Sequence, residues 1–156
     1  MKKLLLSFVI AVLLLSGVKA QDTISIANGT TYNNSMAIGG YYGFHTGAYL
    51  YTSDEMLNQG CTINSLLFQM QTAGSGSNRT LKIYLKEVVD ESLPHSLVFA
   101  DLLEGAMLVY NQPITELTSN AWNEFVFDNP FVYTGIGNLL VIYESTGCSP
   151  SGGCQT

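Results

Sequence analysis

Side chains able to do chemistry are sparse in this chain: two histidines, three cysteines and twelve acidic residues among 156, against nine tyrosines and seven phenylalanines. His45 and His95 are not joined by an H-E-x-x-H pattern, and neither a G-x-S-x-G elbow nor a phosphate loop occurs. Glycoside hydrolysis needs two carboxyl groups facing one cleft. Asp54 with Glu55, and Asp90 with Glu91, are sequence neighbours, and neighbouring side chains on extended backbone point to opposite sides. They read as loop acids. Cys61 with His45 or His95 matches no signature of thiol catalysis. No catalytic residue is therefore assigned, and the chemistry open to the chain is binding.

Its densest aromatic stretch, "YYGFHTGAYLYT", sets Tyr41, Tyr42, Phe44, Tyr49 and Tyr51 around His45. Tyrosines on one face of a sheet can stack on the apolar side of a sugar ring while hydroxyls, with Asp54 or Asn58, bond the sugar's own. Tyr41, Tyr42, Tyr49, Tyr51 and Asp54 are the candidate ligand site on this reading. A plainer reading competes, because Tyr and Phe favour strands and cross-strand pairing in any case. Hard oxygen ligands for Ca²⁺ stand at Asp90, Glu91, Asp128 and Asn129, but their spacing matches no calcium loop, and no metal site is assigned.

Compartment follows from the first twenty residues. Lys2 and Lys3 precede an apolar run from Leu4 to Leu15, then Ser16, Gly17 and small residues at Val18 and Ala20. That order is a secretory signal peptide, with an apolar run too short to span a bilayer. Residues 1–20 are thus the signal peptide and 21–156 one mature domain, secreted or held at the outer cell surface, with no transmembrane anchor. Lys2, Lys3 and Lys19 leave with the signal, so three basic residues remain against twelve acidic ones, a formal charge of -9 (3 − 12). Nucleic acid is excluded as a partner for a chain this acidic. In an oxidising compartment Cys148 and Cys154, around the flexible "SPSGG", are expected to form a local disulfide, leaving Cys61 over.

The elements that must position these residues are strands. Hydrophobic residues make up 47% and charged ones 12% of the chain, a composition poor in the Ala, Glu, Lys and Arg of helical bundles. "GAYLYTS" alternates; "CTINSLLFQMQ" puts Leu66, Phe68 and Met70 on one face; "RTLKIYLKEV" puts Leu81, Ile83 and Leu85 inward with Lys82, Tyr84 and Lys86 outward. "AMLVYNQPI", "WNEFVFD" and "NLLVIYE" follow, the last apolar on both faces as a central strand would be. Phe125, Phe127, Phe131, Leu139 and Val141 are expected to fill the core, with Trp122 at the start of its strand. "DNP" (128–130) and "TGIGN" (134–138) read as turns, and "PHSLVFADLLEGA" (94–106) as a turn or so of helix. The expectation is an all-β antiparallel sandwich, jelly-roll or immunoglobulin-like. An apolar edge left by "NLLVIYE" would place its final strands beyond Thr156.

"TINSLLFQM", "NRTLKIYLKEV", "GAMLVYNQPI" and above all "WNEFVFDNPFVYTGIGNLLVIYE" are similar to the β-sandwich modules of secreted bacterial surface proteins, of the cleaved-adhesin or gingipain-haemagglutinin type. Such modules often accompany fibronectin type III and C-terminal sorting domains. The resemblance spans about Gly39 to Glu144 and implies a noncatalytic module for adhesion or for binding a glycan or cell-surface glycoprotein. It equally allows an accessory domain of a larger secreted hydrolase, or a structural spacer. A bacterial source would make the N-x-Ser/Thr triplets at Asn28, Asn33 and Asn78 chance occurrences.

Overall fold

The computed structural model describes residues 22–26, 44–70, 79–94, 96, 98–114 and 116–146. Residues 1–20, expected from sequence to be a signal peptide, and Tyr41, Tyr42, Cys148 and Cys154 lie outside them. Six strands are formed: β1 (Phe44–Tyr51), β2 (Cys61–Met70), β3 (Arg79–Val88), β4 (Met107–Ile114), β5 (Ala121–Tyr133) and β6 (Asn138–Thr146). The one described helix, α1 (Phe99–Leu103), falls inside the stretch expected to make a turn of helix.

Two antiparallel sheets result, one in the order β1-β6-β3-β4 and the other β2-β5. Pairing is nested: β3 with β4, β2 with β5, β1 with β6. A long hairpin rolled over on itself gives that nesting, which is the wrapping of a jelly roll in six strands. The all-β sandwich expected from the sequence is what the chain forms.

The core lies where the alternating faces predict. Leu81, Ile83 and Leu85 of β3 are buried against Phe125, Phe127, Phe131 and Tyr133 of β5 and Leu139, Val141 and Tyr143 of β6. Leu66, Phe68 and Met70 of β2 pack on the same cluster, and Phe125 meets Phe68 at 5.8 Å and Tyr110 edge-on at 5.6 Å between ring centroids. Lys82, Tyr84 and Lys86 lie on the opposite side of β3, where Lys82 bonds Glu144 of β6 at 3.1 Å.

β6 is not an edge. It is hydrogen-bonded to β1 on one side and β3 on the other, and Leu139 to Tyr143 are buried without a break. The apolar edge expected at "NLLVIYE" is therefore absent, and with it the reason for placing closing strands beyond Thr156. Open edges of the larger sheet fall on β1 and β4 among the described strands. β4 carries Pro113, a residue without an N–H that suits an edge.

"DNP" does not end a strand either. Between the pairs Ile63–Phe131 and Ser65–Val126, β2 advances two residues while β5 advances five, so β5 bulges there and continues to Tyr133. Asp128 at the bulge accepts from the Asn111 N–H at 3.1 Å and from the Gln112 amide at 2.5 Å. These bonds fasten β5 to β4 across the two sheets. A bulge of this kind bends a strand without stopping it.

The other end is closed by backbone packing. Gly135 has φ +84° and a Cβ there would lie 2.5 Å from Gly60 N, so the turn after β5 and the loop before β2 touch main chain to main chain. Tyr133 Oη donates to Gly137 O at 2.6 Å, Thr134 N–H donates to the Glu87 carboxylate at 3.1 Å, and Asn138 bridges Ser53 N (2.8 Å) and Asp90 O (2.7 Å). Gly105 also has a positive φ, +71°, but open space around it. Gly105→Ala should therefore cost only about 1 kcal/mol of left-handed strain, whereas Gly135→Ala should cost a further ~1–3 kcal/mol of overlap, as read by urea unfolding; equal costs would contradict the close approach.

Candidate functional site

Of the five residues proposed from sequence as a ligand site, Tyr49, Tyr51 and Asp54 are described. Tyr49 and Tyr51 point to the inner face of β1. The Tyr49 ring stacks on Tyr143 at 5.6 Å and 24°, with Tyr51 6.4 Å from Tyr49 and His45 5.4 Å from Tyr143. Gly47 makes this possible, because a Cβ there would overlap the Tyr143 ring. Both tyrosines are half-buried and packed against the core. Burial, and after it the charge of Glu55, raises the pKa of Tyr51.

Asp54 is exposed in the loop that follows β1, a loop that bonds itself together. Its carboxylate accepts from the Asn58 amide at 2.7 Å, while Glu55 accepts from Thr52 N–H at 2.8 Å and from the Thr52 hydroxyl at 3.0 Å. Leu57 and Asn58 adopt positive φ, 60° and 50°, and Met56 anchors the loop in the core. The Asp54 carboxylate is thus engaged within its own loop, while Tyr49 and Tyr51 pack against the core, as the plainer reading of these aromatics has it. The cause is parity: odd positions of β1 face inward, where Tyr143 and Val141 of β6 meet them.

The oxygens considered for Ca²⁺ are dispersed. Asp128 already accepts from β4 with both oxygens, and among the described residues no group of three or more His, Cys, Asp or Glu is placed to hold a metal. Cys61 is a free, half-buried thiol at the start of β2, its pKa raised by burial. A hollow of about 180 Å³ between β4 and β5 is lined by Tyr110, Glu116, Asn123 and Phe125 among others. It is small beside ligand pockets of roughly 300–1,000 Å³. Asn123 is also fully engaged there, accepting from Thr118 N–H at 2.7 Å and donating to Thr118 O at 3.0 Å and Ala121 O at 3.1 Å. No described helix is long and apolar enough to cross a membrane.

What sequence reasoning passed over is the outer face of the smaller sheet. Trp122 is 48% exposed, and Leu67, Val126 and Val132 are exposed with it. Gln69 is paired with Trp122 and Leu67 with Glu124, which places Leu67 diagonally beside the indole. Glu124 accepts from the Ser65 hydroxyl at 2.7 Å. An indole on a flat strand face, between an amide and a held carboxylate, can stack on an apolar ring face and bond its polar rim. The signal was present in "WNEFVFD", where Phe125 and Phe127 share one parity and Trp122 has the other.

No family model matches the chain, and neither a curated protein nor a solved structure does. Trp122→Ala should change stability by no more than about 0.5–1 kcal/mol, as exposed positions do, while Tyr49→Ala should cost ~2–4 kcal/mol. Thermal or urea melts of the two variants check the assignment of inside and outside; the reverse order would overturn it.

Proposed function

We propose that the chain is a secreted, noncatalytic β-sandwich module that binds glycan or glycoprotein at a cell surface, and that the outer face of β2 and β5 is its contact surface. The observation that carries this reading is Trp122, a large apolar side chain left half in water on a strand face, with Leu67 diagonally beside it and Val126 and Val132 exposed further along the same face of β5. Exposed apolar patches rimmed by polar groups mark interaction surfaces, and Gln69, Ser65 and Glu124 supply the rim. Stacking binds the nonpolar side of a sugar ring, and the amide and carboxylate bond its hydroxyls. Glu124 and Asp128, in a mature chain of formal charge -9 (3 − 12), disfavour sulfated or otherwise polyanionic glycans, so neutral glycans fit best. Residues 1–20 direct export.

A glycan array probed with residues 21–156 should show neutral glycans bound, and Trp122→Ala should weaken the binding at least about tenfold, as loss of an interface anchor does, with a melting temperature moved by no more than about 5 °C. An array without hits, or hits indifferent to Trp122→Ala, would remove the proposal. The exported protein should begin at Gln21 on N-terminal sequencing.

A further inference from the structure

The hollow of about 180 Å³ between β4 and β5 is too small for a drug-sized ligand but has room for one side-chain head, since a cavity of about 150 Å³ takes up benzene. It lies where these two edge strands, one from each sheet, are fastened together by Asp128. Tyr110 and Phe125 give it an aromatic side, their rings meeting edge-on at 5.6 Å. Glu116 and Glu124, both exposed, complete the lining that matters here. Glu124 is held through one carboxylate oxygen by the Ser65 hydroxyl at 2.7 Å, and neither glutamate has a basic partner among the described residues. Arg79 is paired with Ile114 of β4, but it is 1% exposed, does not line the hollow and has interactions of its own.

What the side chains of this hollow offer a visitor is almost entirely acceptors. Asn123 spends its donors on Thr118 O and Ala121 O and its oxygen on Thr118 N–H. The carboxylates only accept, and the Tyr110 hydroxyl is the one side-chain donor left, able to accept as well. A sugar needs donors for its ring oxygen in addition to acceptors for its hydroxyls, so this lining serves it by half. A guanidinium or ammonium group is all donors and carries the complementary charge. Carboxylates bond its N–H groups, and an aromatic ring attracts the cation and covers its apolar stem. A mature formal charge of -9 (3 − 12) draws cations toward the chain in any case. We propose that the hollow takes the head of an arginine or lysine side chain from a partner polypeptide, its N–H groups on Glu116 and Glu124 and its stem on Tyr110. This site is independent of the glycan reading: Glu124 borders both surfaces, but Glu116 and Tyr110 belong to the hollow alone.

The test is an NMR titration of residues 21–156, following backbone amides, with N-acetyl-arginine amide, N-acetyl-lysine amide and the uncharged isostere N-acetyl-citrulline amide at constant ionic strength. The two cationic probes should shift the amides of Tyr110, Asn123 and Phe125 saturably, and the citrulline probe should not. Glu116→Gln, an exposed substitution that leaves folding intact, should raise the half-saturating concentration about threefold, and Glu116→Gln with Glu124→Gln about tenfold, as loss of exposed charge pairs does. No saturable shift, an equal response to citrulline, or a response indifferent to Glu116→Gln would overturn the site and leave a water-filled cleft. Glucosamine serves as a further probe: tighter binding of this amine than of either amino-acid derivative would assign the cation to a sugar and overturn the polypeptide source. Trp122→Ala should leave the arginine response unchanged, and Glu116→Gln should leave glycan binding unchanged, so failure here and failure of the glycan reading are separable.

Discussion

Everything in this sandwich depends on β6 being held on all four sides. Its backbone is bonded to β1 and to β3, and its residues Leu139 to Tyr143 are buried whichever way they point. A strand so placed must be apolar throughout, since a polar side chain on either face would lose water without gaining a partner. "NLLVIYE" meets that demand. The inner residues Leu139, Val141 and Tyr143 join the core, and the outer Leu140 and Ile142 lie among Leu50, Ala48, Tyr84 and Lys86 of the neighbouring strands. β1 can take its place only when β6 is present, although the two are at opposite ends of the described chain. The nested pairing therefore closes a long loop before its outermost strands gain any bond, an order of events that makes such folds slow to form.

Strand identity and facing were legible in the sequence because both follow from local rules. Alternation alone assigns Leu81, Ile83 and Leu85 inward and Lys82, Tyr84 and Lys86 outward, and the structure agrees. Turn chemistry was less reliable. "DNP" has turn composition, yet Asp128 uses its carboxylate to bind β4 and the strand bends through Pro130 instead of stopping. A bulge and a turn draw on the same residues, and only the partner strand decides between them. The same holds for the edge expected at β6: that a strand is apolar on both faces can be read locally, but which strands flank it cannot.

The candidate binding residues divide in the same way. Aromatic density singled out Tyr49 and Tyr51, but density carries no direction, and parity turns both to the inner face, where Tyr49 stacks on Tyr143. Trp122 stands alone in composition, the single tryptophan of the chain, and parity turns it out. A rule that weights the outward aromatic over the dense cluster would have found the exposed face. Nothing local would have placed His45, Arg79 and Ser145 at neighbouring positions, because they are far apart in sequence and meet only through the β1-β6-β3 register.

Aromatic and polar residues thus hold reversed positions on the two sheets. The larger sheet turns tyrosines and a buried polar corner inward, where shape is fixed by contacts such as Tyr143 lying across Gly47. The smaller sheet turns a tryptophan and three aliphatic residues outward, where no described element covers them. Leaving an indole in water contributes nothing to folding, and the inner face of β5 already buries Phe125, Phe127, Phe131 and Tyr133. The stability of the sandwich does not require Trp122 to be apolar. A two-stranded sheet is also the weaker layer, marginal by itself and dependent on what it packs against, so a partner seated on its outer face would order the element that has least support of its own.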